Sequence, residues 1–263
     1  MTLVEAIWIS ALVILSYMTI LFILSIILKD NSIADIAWGP GFIIVAVALF
    51  LILGEYSPRQ ILITILITIW GLRLGIRILL RNSGRGEDFR YQAWRKQWGK
   101  YFLIRSYLQV FLLQGFLLLL IIFPVYIISV YGKEQLLWLD SVGIIIWAIG
   151  FFFEAVGDYQ LDKFIKNPNN KGKILDYGLW RYTRHPNYFG EVTQWWGIFI
   201  IGLGLSYGWL GIIGPITITF LILKVSGIPM LEKAMSKNPT FQPYKEKTSV
   251  LIPWFPKKSE FPK

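Results

Sequence analysis

Arg181, Arg184 and His185 stand just ahead of Pro186, and Asn187 and Glu191 follow it, in a stretch from Gly178 to Glu191 that leads straight into an apolar segment. Proline suits the first turn of a helix, because its missing N–H has no partner there, and it pushes the preceding residue towards an extended backbone. The spacing therefore predicts a helix mouth at Pro186, with Arg184 and His185 just outside it. Asn187 and Glu191 lie four apart and share one helical face, with Gln194 and Trp195 next along it. Free N–H groups and the partial positive charge of a helix N-terminus add to Arg181, Arg184 and His185 as a natural site for an anion. The plainer alternative is a basic anchor at a membrane interface, against which stands the cost of taking Glu191 into a bilayer.

Arg73, Arg77 and Arg81 recur at four-residue intervals, so their guanidinium groups form one stripe at the end of another apolar run, with Arg85 just beyond. Arginines at a span's end also snorkel to the interface with no ligand, so both readings stay open. Glu154 and Asp158 share a face at the end of a further apolar run and need partners. Asp35 and Lys224 lie at equivalent ends. Arginine suits phosphate through bidentate, charge-assisted bonds, while carboxylates and Asn suit ribose hydroxyls and amides. A nucleotide cofactor is expected on Arg73, Arg77, Arg81, Arg85, Glu154, Asp158, Arg181, Tyr182, Arg184, His185, Asn187, Glu191 and Lys224. No Gly-x-Gly-x-x-Gly follows a strand and no Walker sequence occurs, which points to a membrane-embedded site and away from a Rossmann fold.

Composition sets the setting for this chemistry. The 263 residues are 55% hydrophobic and 16% charged, with a mean hydropathy of +0.56, which marks an integral membrane protein. The net charge of +10 is spread over loops between apolar runs, so it reflects membrane topology and not a nucleic-acid surface. With no cysteine and one histidine, disulfides, thiolate nucleophiles, iron–sulfur clusters and multi-histidine metal centres are excluded, and no metal is expected.

The elements that must position the site are seven apolar spans: Leu3 to Leu28, Ile33 to Leu53, Ile61 to Leu80, Tyr107 to Val130 with a break near Pro124, Leu137 to about Gly157, Tyr188 to Leu205, and Trp209 to Val225. The fold class is all-α, and residues 1–263 form one seven-helix membrane domain. The N-terminus lacks a positively charged signal-peptide region, so the first run is kept as a span. Gly143, Gly150 and Gly157 recur every seven residues and permit close approach of a neighbouring helix. Lys224 is expected to be buried at the exit of the last span. Lys and Arg concentrate in the loops 81–106 and 157–187 and in the tail 227–263, which places those three in the cytoplasm and the N-terminus outside. The 82–105 segment is read as an amphipathic surface loop, and the proline-rich tail as a cap that is not one helix.

Asp35-Ile36-Ala37-Trp38-Gly39, Trp70-Gly71-Leu72-Arg73-Leu74, Gly86 to Tyr91, Phe153 to Asp158, Leu179 to Glu191 and Pro229 to Lys233 resemble the bacterial DUF1295 proteins, over nearly the whole chain. Those proteins are in turn similar to the C-terminal domain of steroid 5α-reductases, here through Asn187-x-x-Gly190-Glu191, the Glu154/Asp158 pair and the Arg-rich third span. The resemblance implies a multi-pass enzyme of a bacterial inner membrane. It would pass a hydride from NADPH to the β-carbon of an α,β-unsaturated ketone on a lipophilic substrate, steroid-like or isoprenoid, that enters from the bilayer lipids. The reductases polarise the carbonyl with a Glu in the second span and a Tyr in the third; this chain departs from them, with Phe42 and Trp70 near those places. Asp35 then stands in as the polarising acid, a role that requires it protonated. A wider superfamily of isoprenylcysteine and phospholipid methyltransferases shares Arg184-His185-Pro186-x-Tyr188 and a tail Glu like Glu232. That likeness implies the rival activity, S-adenosylmethionine-dependent methyl transfer to a lipid.

Overall fold

The computed structural model describes residues 1–133 and 135–257, so Lys258–Lys263 of the expected cytoplasmic tail lie outside the described residues. Helix takes up 78% of the described residues. Among the described residues, β pairing is limited to an isolated parallel bridge between Thr183 and Ser249. The chain falls into two compact units, each built from two stretches: Met1–Trp138 with Gly202–Gly214, and Leu139–Ile201 with Pro215–Lys263.

The first unit opens with α1 (Leu3–Leu28), started by a reciprocal cap between Thr2 and Glu5. Its buried positions Ala6, Ser10, Ile14 and Met18 make one stripe, while Trp8, Leu12, Ile20 and Ile27 remain exposed. A helix apolar on every side yet buried on one belongs against lipid. After the short α2 (Ile33–Ile36), Ala37 interrupts the chain before α3 (Trp38–Leu53). α4 (Pro58–Asn82) starts at Ser57, whose hydroxyl accepts from Gln60 N–H, with Pro58 in the first turn. α3 and α4 touch backbone to backbone: a Cβ on Gly39 would lie 2.4 Å from the Gly71 carbonyl oxygen.

The segment expected as a surface loop is helical from Phe89. It runs as α5 (Phe89–Ile121) through a 3₁₀ turn at Gly99–Tyr101 and a π-helical stretch at Tyr107–Leu112. Asp88 caps the start by accepting from Arg90 N–H, and nothing after it stops helix propagation. The expected break near Pro124 falls at Ile122, and α6 (Phe123–Tyr131) carries Pro124 in its first turn.

In the second unit, α7 (Trp138–Lys166) continues nine residues beyond the expected end at Gly157. Leu161 and Phe164 on this extension pack with Leu175 and Trp180, which gives it a buried face to form on. α8 (Pro186–Leu203) begins at the expected proline, and its opening turn is closed by the four-residue bond from Phe189 N–H to the His185 carbonyl. The heptad glycines of α7 meet α8. A Cβ on Gly143 would lie 2.7 Å from the Gly197 carbonyl oxygen, one on Gly150 2.6 Å from that of Gly190, and one on Gly157 3.1 Å from Pro186 Cγ. α8 answers with Gly190 and Gly197, also seven apart, so small residues face each other across one seam.

α9 (Ile213–Phe220) continues as a π-helical turn at Leu221–Val225. Lys224 in that turn is exposed, contrary to the expectation that it is buried, because the wider π turn rotates it off the packed face held by Ile222. The tail forms α10 (Ile228–Met235) and α11 (Phe241–Lys247), two short helices in keeping with its prolines.

Among the described residues, five helices are long and apolar enough to cross a membrane: Leu3–Leu28, Pro58–Asn82, Phe89–Ile121, Trp138–Lys166 and Gly208–Met235. The remaining two expected spans differ from these. Trp38–Leu53 has 16 residues, and α8 carries Asn187, Glu191 and Gln194 in its first half.

Candidate functional site

The expected site residues divide between the units. Asp35, Trp70, Arg73, Arg77, Arg81 and Arg85 belong to the first; Glu154, Asp158, Arg181, Tyr182, Arg184, His185, Asn187, Glu191 and Lys224 belong to the second.

In the first unit, Asp35 on α2 is held from α5. Arg90 Nη2 donates to Asp35 Oδ2 at 2.6 Å and the Tyr91 hydroxyl donates to Oδ1 at 2.7 Å. Both carboxylate oxygens therefore act as acceptors, one from Arg90 and the other from Tyr91. Arg90 Nε also donates to Asp88 at 2.9 Å. Burial alone would raise the Asp88 carboxyl, but the bonds from Arg90, helped by Arg81, hold it below the usual carboxylate range. Arg95 donates to both oxygens of Glu87, which also accepts Asn31 N–H at 3.0 Å, and Asp88 N–H donates to Ser32 Oγ. These bonds stitch the Asn31–Asp35 turn to the start of α5. Arg90 and Tyr91 close the Gly86–Tyr91 stretch that carries the family resemblance, but neither was expected at the site: by charge that run reads equally well as a solvated loop.

Trp70 is fully buried, edge-on to Phe42 at 5.3 Å, and Phe42 is edge-on to Trp38 at 5.4 Å. It stands in an aromatic row between α3 and α4. Arg73, Arg77 and Arg81 form the stripe their spacing required on α4. Arg73 and Arg77 are half-buried, Arg81 and Arg85 exposed.

In the second unit, the mouth of α8 is tied to α7 and to the tail. Asn187 Nδ2 donates to Asp158 Oδ1 at 3.1 Å, and deeper in the pair, one turn along α7 and two along α8, Gln194 Nε2 donates to the buried Glu154. The two intramembrane carboxylates thus find amide partners across the glycine seam, which brings the two backbones close enough for short side chains to meet. Leu179 N–H donates to Gln160 and the Trp180 indole to the Gly157 carbonyl, so the α7 extension also fixes the turn ahead of α8. Arg181 and Tyr182 on that turn are exposed.

Arg184 faces the tail. Its Nε donates to Glu232 Oε1 at 2.8 Å, and its Nη1 donates to the Lys245 carbonyl at 2.9 Å and to that of Thr248. His185 Nε2 lies 3.3 Å from the same Glu232 oxygen, and Lys245 Nζ lies 3.2 Å from the other. A carboxylate so placed can only accept, so the His185 proton is on Nε2. An anion at this mouth would have to compete with Glu232. Burial pushes the His185 imidazole down to about 4, Arg184 acts the same way, and Glu232 opposes both. At neutral pH His185 therefore contributes a hydrogen bond to this mouth, and no charge.

The sign of the pH effect follows. The unfolded chain binds a proton at His185 near pH 6.5 and the folded chain only near 4, so the stabilisation is complete above pH 6.5 and is lost as pH falls through that window. The chain has one histidine, so the slope above the carboxylate range belongs to it. We expect melting in detergent to show a loss of about 2 kcal/mol between pH 7 and pH 5, and His185→Gln to flatten it. An unchanged slope in that variant would contradict the assignment.

Residues 21–248 match the family model described as a protein of unknown function, DUF1295. The chain belongs to the DUF1295 family. It is 25% identical to an uncharacterized protein of Schizosaccharomyces pombe over 75% of this chain and 64% of that one. It is 38% identical to the probable O-methyltransferase ustE of Ustilaginoidea virens, over 26% of this chain and 24% of that one. To the steroid 5-alpha-reductase DET2 of Gossypium hirsutum it is 29% identical over 31% of this chain and 30% of that one. The chain thus spans less than two thirds of each of these relatives. No solved structure matches it. Its apolar helices make this DUF1295 member a multi-pass membrane protein, and among the described residues no three His, Asp or Glu side chains gather as metal ligands.

Proposed function

We propose that the protein is a membrane-embedded reductase that uses NADPH to reduce a C=C bond conjugated to a carbonyl in a lipophilic substrate drawn from the bilayer. The observation that carries this reading is the row Arg73, Arg77 and Arg81 on one stripe of α4, with Arg85 beyond it. NADPH bears three phosphate groups and needs several cations; S-adenosylmethionine has no phosphate and carries a sulfonium. The donor set fits the former, since guanidinium groups bind phosphate through bidentate, charge-assisted bonds, with less screening at the half-buried Arg73 and Arg77 than at the exposed Arg81 and Arg85. The partial likeness to a steroid 5-alpha-reductase supports the same reading.

When bound, NADPH supplies the hydride. In the first unit, Arg73, Arg77, Arg81 and Arg85 would hold its phosphates. Asp35 orients the Tyr91 hydroxyl, and Trp70 stiffens the aromatic row it forms with Phe42 and Trp38. The reading takes seven spans, by counting α3 and α8, with the N-terminus outside and the basic segments and tail in the cytoplasm. A reporter fused to the C-terminus should then read cytoplasmic and one fused ahead of Met1 external; a C-terminal reporter active only outside refutes that topology.

The second reading, a lipid methyltransferase using S-adenosylmethionine, is favoured by the likeness to the probable O-methyltransferase. Titrating the purified protein with each cofactor, followed by tryptophan fluorescence, tests both. Saturable quenching by NADPH alone is expected, and saturation by S-adenosylmethionine alone overturns the reductase reading. Within it, Arg77→Ala should weaken NADPH by about tenfold or more, as for a lost charged hydrogen bond, while NADH changes little. Equal loss for both cofactors would place the 2′-phosphate elsewhere.

A further inference from the structure

The segment from Ser249 to Lys257 presents apolar side chains outward while its backbone is tied down. Ile252 is 67% exposed, Trp254 71% and Phe255 78%, whereas Leu251 just before them is buried. The ties are numerous. Arg184 N–H donates to the Ser249 carbonyl at 2.8 Å, Ser249 Oγ to the Ile252 carbonyl at 2.6 Å, Trp254 N–H to the Tyr182 carbonyl at 2.9 Å, and Lys257 N–H to the Lys247 carbonyl at 2.9 Å. Pro253 and Pro256 stiffen the same run. A loose tail would turn such side chains inward; this one is built to hold them out.

We infer that this segment is a membrane-interface anchor, which inserts Ile252, Trp254 and Phe255 into the headgroup layer of an anionic bilayer. Three observations choose the occupant. The segment is bonded to Tyr182 and Arg184, directly ahead of α8, so it lies at the level of a helix mouth in a protein whose helices face lipid. Its chemistry is that of an interface: Trp and Phe at the tip, exposed Tyr177 and Tyr182 behind it, and Phe255 edge-on to Tyr182 at 6.1 Å. Its flanks are cationic, with Arg181 and Lys257 exposed and Lys247 offset by Asp176 at 3.2 Å, which suits acidic lipid headgroups. The anchor would fix the tail, and through Arg184 and Glu232 the mouth of α8, at a set depth. It does not depend on which cofactor the protein uses.

The absence of cysteine from the sequence makes the test direct. Ile252→Cys and Phe255→Cys replace mostly exposed side chains, and Ser236→Cys in the exposed turn between α10 and α11 serves as the aqueous reference. Each full chain is labelled with a nitroxide and reconstituted into vesicles of phosphatidylglycerol and phosphatidylcholine, or of phosphatidylcholine alone. Relaxation by oxygen is then compared with relaxation by a water-soluble nickel chelate. At positions 252 and 255 oxygen should dominate several-fold over the reference position, and removing phosphatidylglycerol should shift both labels towards water. An oxygen-to-nickel ratio equal to that at position 236 overturns the anchor. Shielding from both agents, with broadening between labels, would show a second copy of the chain covering the patch and overturn it as well. Equal depth in both vesicles would overturn the role given to the cationic flanks.

Discussion

Gly190→Ala is expected to destabilise the protein by about 3 kcal/mol, the upper end of what a single added methyl costs in a close-packed site. The added carbon would stand 2.4 Å from Glu154 N and 2.4 Å from the Gly150 carbonyl oxygen. Both are helix backbone atoms, and no rotamer change can move them. The two helices must therefore part, and parting them also stretches the Gln194–Glu154 and Asn187–Asp158 hydrogen bonds that satisfy the buried carboxylates. Overpacking and loss of carboxylate solvation act in the same direction, which is why the effect should exceed that of an ordinary surface change. Melting in detergent, compared with Ile149→Ala on the exposed side of α7, reads the difference; the latter should stay within about 0.5 kcal/mol. Similar losses in the two variants would mean that the seam is not under close contact.

The second large effect lies at the tail clamp. Glu232→Ala removes a carboxylate that accepts from Arg184 and His185 on one oxygen and meets Lys245 on the other. The Arg184 side chain is 9% exposed, so it would be left as a buried cation served only by two backbone carbonyls. Breaking a buried pair from one side costs about 3–5 kcal/mol, largely through the charge left behind. The partner substitution is informative: Arg184→Met combined with Glu232→Ala should be less destabilised than Glu232→Ala alone, because no unpaired charge remains. Melting temperature and the rate of proteolysis after Thr248 both read the result. Additive losses in the double variant would show that the clamp works through shape and not charge.

Much of this was legible before any coordinates. The apolar runs and their lengths decide helices in lipid, since an unsatisfied backbone in hydrocarbon leaves no other choice for a single segment. Pro186 marks the start of α8, because its geometry is a local property of the chain. The four-residue spacing of Arg73, Arg77 and Arg81 fixes one stripe on any α-helix, and the heptad glycines of α7 announce a close neighbour without naming it. Local rules also misled. Tyr159–Lys166 and the 82–105 segment look like loops by charge, yet both are helical from Tyr159 and Phe89 respectively, the former because Leu161 and Phe164 gain a buried face against Leu175 and Trp180.

What the sequence by itself determined is therefore the class of protein, the α7 and α8 faces that carry Glu154, Asp158, Asn187 and Glu191, and the arginine stripe, because each depends on spacing along one segment. Only the tertiary structure decided the partners. That α8 supplies Gly190 and Gly197 to the seam, that Arg184 turns to Glu232 and not to open solvent, and that Asp35 is gripped by Arg90 and Tyr91 are all contacts between residues dozens of positions apart. Charge alone is no guide to such pairings, since each arginine offers the same donors to any carboxylate it can reach. Which one it reaches is set by how the helices pack, and in this chain packing follows from where glycine lets two backbones touch.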